Sequence, residues 1–298
     1  MLRKTLIVGT IIVFTIPVAS AANTDRSQPN LRASEIANRN VAARGGLEAW
    51  RAVQTLSWTG KLGAGGNQRT TLPVPISASG KNAARMPSDP RPKEEVQLPF
   101  MMEMQRPRRA RFELKFKGQT AVQVFDGTNG WKLRPYLNRL EVEPFTELEM
   151  KAASMQADLD GPLIDYGAKG TRIELVGMEK VEDRDTYNLK LTMNDGHTMH
   201  VWIDAQTFLE AKIEGRPRRL DGMEHAVEVY YRDYREVSGL QIPFVLETKV
   251  LPVDKVSQVA RGAHFPVEMI LIEKVVVNPK LDASLFTKPH IETAMNRR

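Results

Sequence analysis

The fold of this chain is decided by residues 111–135, which read RFELKFKGQTAVQVFDGTNGWKLRP. Apolar and charged side chains alternate at its start, which is the period of a strand with one apolar face. That predicted face carries Phe112, Leu114 and Phe116. Two more predicted strands, 120–125 and 131–134, are separated by a turn rich in glycine. The stretch therefore predicts antiparallel strands that follow one another in a meander.

The hydrophobic period changes in residues 145–159, which read FTELEMKAASMQADL. Five apolar residues recur there at helical spacing, and Gly161–Pro162 ends the pattern. The predicted stripe consists of Phe145, Leu148, Ala152, Met155 and Leu159. We expect this amphipathic helix to pack the stripe on the apolar face of the sheet. Two interpretations stay open: the helix completes an ordinary hydrophobic core, or it covers a hydrophobic cavity.

Strand patterns return after Tyr166 and continue almost to the C-terminus. Tyr187, Leu189 and Leu191 alternate with polar residues, and turn signals recur at the spacing of an antiparallel meander. We count about ten or eleven strands. Residues 94–103 form one of them, and Pro99 predicts that it lies at an edge of the sheet. The predicted fold class is α+β, with a curved antiparallel sheet and helices at the start and in the middle.

The chain begins with the pattern of a signal peptide in residues 1–21. Arg3 and Lys4 precede an apolar run, and Ala19–Ala21 fits a cleavage site. Removal of both cations lowers the net charge of +6 to +4. After it we predict a flexible lead-in at 22–33, a single domain at 34–290 and a tail at 291–298. A proline-rich insert at about 63–92 is expected to be mobile. The mature protein is expected to be periplasmic, soluble and without a lipid anchor.

The composition and motifs exclude several kinds of chemistry. The chain has no cysteine, which rules out disulfides, thiol catalysis and an acylated cysteine anchor. The motifs of hydrolases, zinc proteases and nucleotide-binding loops are absent. We therefore predict no catalytic residue, no cofactor and no metal, and the small net charge indicates no nucleic-acid partner. Asp158 and Asp160 are interpreted as turn residues. The basic run 216–219 is either a solvated turn or a contact for an anionic head group or partner.

Several motifs, taken in order, resemble the outer-membrane lipoprotein-sorting family, the LolA-like superfamily. They span about 34–289 and consist of 118–131 (GQTAVQVFDGTNGW), 160–166 (DGPLIDY), 174–177 (ELVG), 187–191 (YNLKL), 202–204 (WID), 239–243 (GLQIP) and 277–279 (VNP). This chain differs from the standard carrier in its greater length and its proline-rich insert. The resemblance implies an incomplete β-barrel with helices forming a lid over a hydrophobic cavity.

The resemblance implies that the protein is a periplasmic carrier of lipid or lipoprotein acyl chains, with membrane-anchored donor or acceptor proteins as partners. We expect the carrier to be a monomer. The expected ligand-binding residues of cavity and lid are Phe112, Leu114, Phe116, Trp131, Phe145, Leu148, Met155 and Leu159. An alternative is a regulatory binding module like the RseB-type periplasmic sensors, which would bind a stable protein partner. An envelope enzyme is the third alternative, and it requires a polar constellation that the sequence does not display.

Overall fold

The structure is a computed structural model that describes residues 31–65, 95–135, 139–220, 223–253 and 267–290. The predicted signal peptide, nearly all of the proline-rich insert and the predicted tail lie outside the described residues. All described helices and strands belong to one compact unit, residues 32–298. None of the described helices is long and apolar enough to cross a membrane.

Two short helices come first, α1 (Ala33–Ala43) and α2 (Leu47–Ala52). The next elements are β1 (Thr55–Gly65), β2 (Glu95–Gln105), β3 (Arg109–Phe116), β4 (Gln119–Phe125), β5 (Gly130–Arg134), β6 (Arg139–Pro144) and α3 (Glu147–Gln156). The remaining elements are β7 (Arg172–Val181), β8 (Arg184–Thr192), β9 (Thr198–Asp204), β10 (Glu210–Leu220), β11 (Met223–Val237), β12 (Leu240–Val250), β13 (Val267–Val277) and a 3₁₀ helix (Ala283–Phe286).

The strands form one antiparallel sheet in the order β6-β5-β4-β3-β2-β1-β13-β12-β11-β10-β9-β8-β7. Consecutive strands are neighbours in the sheet, except β6 and β7, which lie at its two edges. The pairing of β1 with β13 joins the two meanders. Among the described residues β6 and β7 are the two outer strands, so the sheet is not closed into a barrel. The predicted antiparallel meander is thus confirmed, and the first and last strands meet within the sheet.

The junction between β1 and β13 depends on Gly60. The register of the two strands shifts between Thr59 and Gly60, which marks a β-bulge. A Cβ atom at Gly60 would collide with the backbone oxygen of Leu271 on β13. The two backbones therefore approach closely because this residue has no side chain.

The predicted number of about ten or eleven strands was too low, because the described residues form thirteen. One strand that no sequence pattern indicated is β6. Its sequence, RLEVEP, contains only two large apolar residues, and Leu140 is 48% exposed. A strand at the edge of a sheet needs little burial, so its hydrophobic pattern is weak.

The prediction that residues 94–103 lie at an edge was wrong, because β2 lies between β1 and β3. The register explains how Pro99 is tolerated. It lies opposite Lys61 of β1, whereas the described pairing with β3 begins one residue later, at Phe100. The strand is therefore paired on only one side at the proline, which has no N–H to donate.

The main core lies on one face of the sheet, which we call the inner face. Strand alternation and register place on it Leu56, Trp58, Phe100, Met102, Met104, Phe112 and Ile272. Trp50 and Val53 pack into the same cluster from α2 and the residue that follows it. The predicted alternation in β8 is also confirmed, since Tyr187, Leu189 and Leu191 are buried.

Candidate functional site: the inner face and its covering helix

The inner face near the middle of the sheet carries large apolar side chains that are not fully buried. The rings of Phe100 and Phe112 stack with their centroids 5.9 Å apart. On strands β1, β2, β3 and β13 the half-buried members of the cluster are Trp58, Leu62, Met102, Phe112, Leu114, Ile270 and Val277. These residues come from four neighbouring strands, so they form one continuous apolar surface. A surface of this kind can accommodate a hydrocarbon ligand.

Helix α3 and the residue after it pack on this face through only a few apolar side chains. Met150, Ala153 and Ala157 contact a cluster that contains Ala110 and Phe125. No residue within Glu147–Gln156 is fully buried. Because α3 buries so little apolar surface, its packing stabilises it only modestly. The helix is therefore only lightly packed on the inner face.

The N-terminus of α3 is fixed by a capping box and an ion pair. Glu149 N–H donates to the Thr146 hydroxyl at 3.3 Å, and Thr146 N–H donates to the Glu149 carboxylate at 2.8 Å. The ammonium of Lys132 on β5 lies 2.6 Å from the same carboxylate. Burial opposes ionisation of Glu149, but Lys132 and Thr146 outweigh it and lower its pKa.

Phe145 anchors the chain just before the helix. Its N–H donates to the Gly130 carbonyl at 2.8 Å, and its ring occupies the space where a Cβ atom of Gly130 would lie. Gly130 therefore provides the flat surface on which the Phe145 ring packs.

The far side of α3 contacts Arg216 on β10. One Nη atom of Arg216 lies 3.5 Å from the Leu148 carbonyl, and the other lies 3.3 Å from the Met155 sulfur. Both contacts are weak, the first because it is long and the second because sulfur is a poor acceptor. Burial lowers the pKa of the Arg216 guanidinium. Among the described residues, no carboxylate lies within ion-pair distance of Arg216.

The contacts of α3 on its two sides show that the sheet curls around it. Seven strand spacings separate β4 from β10 in the sheet order. That is about 34 Å in a flat sheet at about 4.8 Å per spacing. A helix of ten residues is only about 15 Å long, yet it contacts both strands. The sheet therefore forms a trough, with α3 lying across it.

The segment after α3 is held by a cluster of ion pairs around Asp160. Lys169 Nζ lies 2.5 Å from one Asp160 oxygen and 2.9 Å from Asp158, and Arg106 Nη2 lies 2.6 Å from the other Asp160 oxygen. Burial raises the pKa of Asp158. The pKa of Asp160 is lowered instead, because Lys169 and Arg106 outweigh its burial. Sequence analysis treated both as turn residues, since their partners lie elsewhere in the chain.

Arg44 joins α1 to this segment and to β10. Its Nη1 donates to the Asp160 carbonyl at 2.9 Å and lies 3.3 Å from a Glu210 carboxylate oxygen. Its guanidinium also stacks 4.4 Å from the Trp50 ring centroid. The Tyr234 hydroxyl donates to Glu210, and burial raises the Tyr234 pKa well above its usual value. No sequence motif indicated this buried cluster.

Four of the predicted cavity residues lie on the inner face or pack into its core. Phe112 and Leu114 are half-buried in the central cluster, and Leu159 is buried there. Phe116 alternates with them at the end of β3 and is half-buried. Met155 is also half-buried and contacts Arg216.

Two of the predicted cavity residues do not lie where the sequence analysis placed them. Leu148 is 79% exposed, so the expectation that it faces the sheet is wrong. The helix is rotated so that Met150 and Ala153 make the contact, because the Glu149–Lys132 pair fixes its orientation. Trp131 lies on the opposite face of the sheet, where it packs against Val122, Val124, Leu133 and Val142.

Two cavities lie away from the inner face. One, of about 570 Å³, is lined by residues that include Arg109, Trp131 and Phe286. The other, of about 330 Å³, lies beside Arg51, Arg106 and Asp165. Among the described residues, no group of three or more His, Asp or Glu side chains is arranged to hold a metal ion.

No protein-family model matches the chain, and no curated protein matches it. Solved structures do resemble it. A DUF1329 family protein from Desulfovibrio piger has a TM-score of 0.52 at 11% identity, and the likeness covers 86% of this chain and 97% of that one.

Two further similar structures have TM-scores just below 0.5. An outer-membrane lipoprotein-sorting protein domain from Vibrio parahaemolyticus gives 0.49 at 11% identity, over 85% of this chain and 95% of that one. A LolA superfamily protein from Nitrosomonas europaea gives 0.48 at 13% identity, over 87% and 98%. At these identities the comparisons concern the fold alone, and the chain shares the fold of the DUF1329 family protein over most of its length.

Proposed function

We propose that the trough under α3 binds the acyl chains of a lipid or lipoprotein, and that the protein carries them through the periplasm without catalysing a reaction. The observation that carries this proposal is the half-buried apolar surface of the inner face beneath a helix that has no fully buried residue. Membrane-anchored donor and acceptor proteins are the partners that such a carrier would need.

Burial of hydrocarbon supplies the affinity. Each methylene transferred from water contributes about 0.8 kcal/mol, so about ten methylenes contribute roughly 8 kcal/mol. That corresponds to a dissociation constant of about 1 μM before the cost of ordering the chain. An affinity in this range holds a ligand in transit and still allows its release.

A buried donor on the inner face supports the same proposal. The indole N–H of Trp58 is buried and has no acceptor among the described residues. An unsatisfied buried donor costs about 1–3 kcal/mol. The ester or amide carbonyl of an acyl chain provides the missing acceptor when the chain lies against Trp58.

Release requires α3 to move, and its attachment favours this. The helix is held by polar contacts at Glu149 and by small side chains at Ala153 and Ala157. Lifting it breaks the Lys132–Glu149 ion pair and the hydrogen bond from Arg108 to the Ser154 carbonyl, and it exposes little apolar surface. A ligand can replace those contacts. The helix is the detachable part of the trough.

The test places a carboxylate in the trough. Phe112→Glu should weaken binding of a fluorescent acyl probe at least tenfold, because the charge would lose its hydration against the apolar surface. Probe titration by fluorescence measures the affinity, and circular dichroism with urea unfolding checks that the variant is folded. Leu114→Gln is a milder substitute if Phe112→Glu does not fold.

Val176→Glu is the matched control, because it adds the same charge at an exposed apolar position of β7. Its probe affinity should stay within about twofold of the unmodified protein. A wild-type protein that binds no acyl probe, or a folded Phe112→Glu variant with unchanged affinity, contradicts the proposal.

A further inference from the structure

The cations around the trough differ in their electrostatic partners. Lys132 is paired with Glu149, Arg44 with Glu210 and Arg218 with Glu268, each with a nitrogen–oxygen distance of 3.3 Å or less. Arg216 lies two residues from Arg218 on the same strand, but no described carboxylate is within ion-pair distance of it. Of these four cations, Arg216 is the one without a described carboxylate partner. It is more buried than Arg108, which also contacts α3, at the Ser154 carbonyl.

The position of Arg216 makes its lack of a partner informative. It is half-buried against α3, and its two contacts are a carbonyl at 3.5 Å and a thioether sulfur at 3.3 Å. Desolvation of a guanidinium without a counter-charge is unfavourable, and the lowered pKa of Arg216 expresses this. An anion that enters beside α3 would relieve it.

Backbone geometry directs Arg216 toward the helix. The pairing of β10 with β11 shifts between Gly215 and Arg218, so two residues, Arg216 and Pro217, fit into the space of one. Such a bulge changes the direction in which a side chain projects and is frequent beside binding sites. The neighbouring Arg218 makes a bidentate pair with Glu268 on β13, at 2.7 and 2.8 Å. That pair satisfies Arg218 and leaves Arg216 available.

We propose that Arg216 binds the phosphate of an anionic lipid head group whose acyl chains lie in the trough under α3. The inference rests on the proposed acyl-chain binding and adds the class of lipid that is preferred. A planar guanidinium presents its N–H groups in a fork that matches two phosphate oxygens. The phosphate replaces the weak contacts to Leu148 and Met155, so binding of the head group also loosens α3.

The experiment compares two fluorescent probes with identical acyl chains, a phosphatidic acid and a diacylglycerol, at 150 mM salt. The full-length protein should bind the phosphatidic acid about tenfold or more tightly, as expected for charge-assisted hydrogen bonds. Arg216→Gln should abolish this preference and leave the diacylglycerol affinity unchanged. Arg216→Lys should retain part of it, because the charge remains and the fork is lost.

Arg172→Gln is the control for net charge, because it removes one exposed cation from β7. It should retain the full preference for phosphatidic acid. Inorganic phosphate should compete only at concentrations far above those of the lipid. Competition by phosphate at the lipid's own concentration would show a site for free phosphate and overturn the inference.

The failures of the two proposals are distinguishable. Equal binding of both probes by the wild-type protein, or a preference that survives in Arg216→Gln, overturns head-group recognition and leaves acyl-chain binding intact. Binding of neither probe overturns both proposals.

Discussion

At the scale of single residues, Asp160 is a buried carboxylate that two cations hold in place. Its carboxylate is 4% exposed and contacts Lys169 and Arg106. Removing one partner of a buried ion pair is strongly destabilising, because the remaining charges lose their compensation. Asp160 therefore connects the segment after α3 to β2 and to the N-terminal helices.

Asp160→Asn should lower the free energy of unfolding by about 3 kcal/mol at pH 7. The pKa of Asp160 is below its usual value of 3.8, so its contribution is present above that pH. It is lost as the pH falls through the folded-state pKa, where the wild-type carboxylate itself takes up a proton. Urea unfolding from pH 7 to 3 should show the difference between the two proteins shrinking below pH 3.8.

Asp183→Asn, at an exposed position in the turn after β7, is the control and should have no measurable effect. A constant difference between Asp160→Asn and wild type across the whole pH range would mean that ionisation of Asp160 does not stabilise the fold.

At the scale of elements, α3 combines a well-formed N-terminus with weak packing. The sequence predicted a helix here and its approximate bounds, because both depend on local periodicity and on the stop at Gly161. The face that α3 presents was predicted wrongly at Leu148. Its rotation is set by the Lys132–Glu149 pair and by Phe145 on Gly130, which join residues of separate elements.

Thr146→Ala should destabilise α3 by about 1 kcal/mol, because it removes the side chain of the N-cap. Hydrogen exchange of amides in 147–156 should accelerate about fivefold, while the amides of β8 and β9 exchange at the wild-type rate. Thr198→Ala, at an exposed position of β9, is the matched control. Unchanged exchange in α3 would mean that its cap does not limit opening.

At the scale of the whole molecule, the pairing of β1 with β13 joins the two meanders of the sheet. Gly60→Ala should destabilise the protein by about 1–3 kcal/mol, because the new Cβ atom meets the backbone of β13, which cannot move aside cheaply. The urea midpoint measures this effect. Gly177→Ala is the control, since Gly177 also lies in a bulged strand but has open space around it, and it should be nearly neutral.

An equal effect of both glycine substitutions would show that loss of backbone freedom, and not the close approach of β1 and β13, determines the stability of the junction.

The sequence by itself determined what depends on near neighbours in the chain. Local patterns predicted the alternation in β3 and β8, the glycine turns between strands and the central helix. Such patterns involve only residues that are close together in the sequence. The tertiary structure alone decided which strands join the two meanders, which way α3 faces and which cations have partners. No periodic pattern connects residues as far apart in the sequence as Thr55 and Asn278, or Arg216 and Leu148. Only the folded chain shows that these residues are in contact.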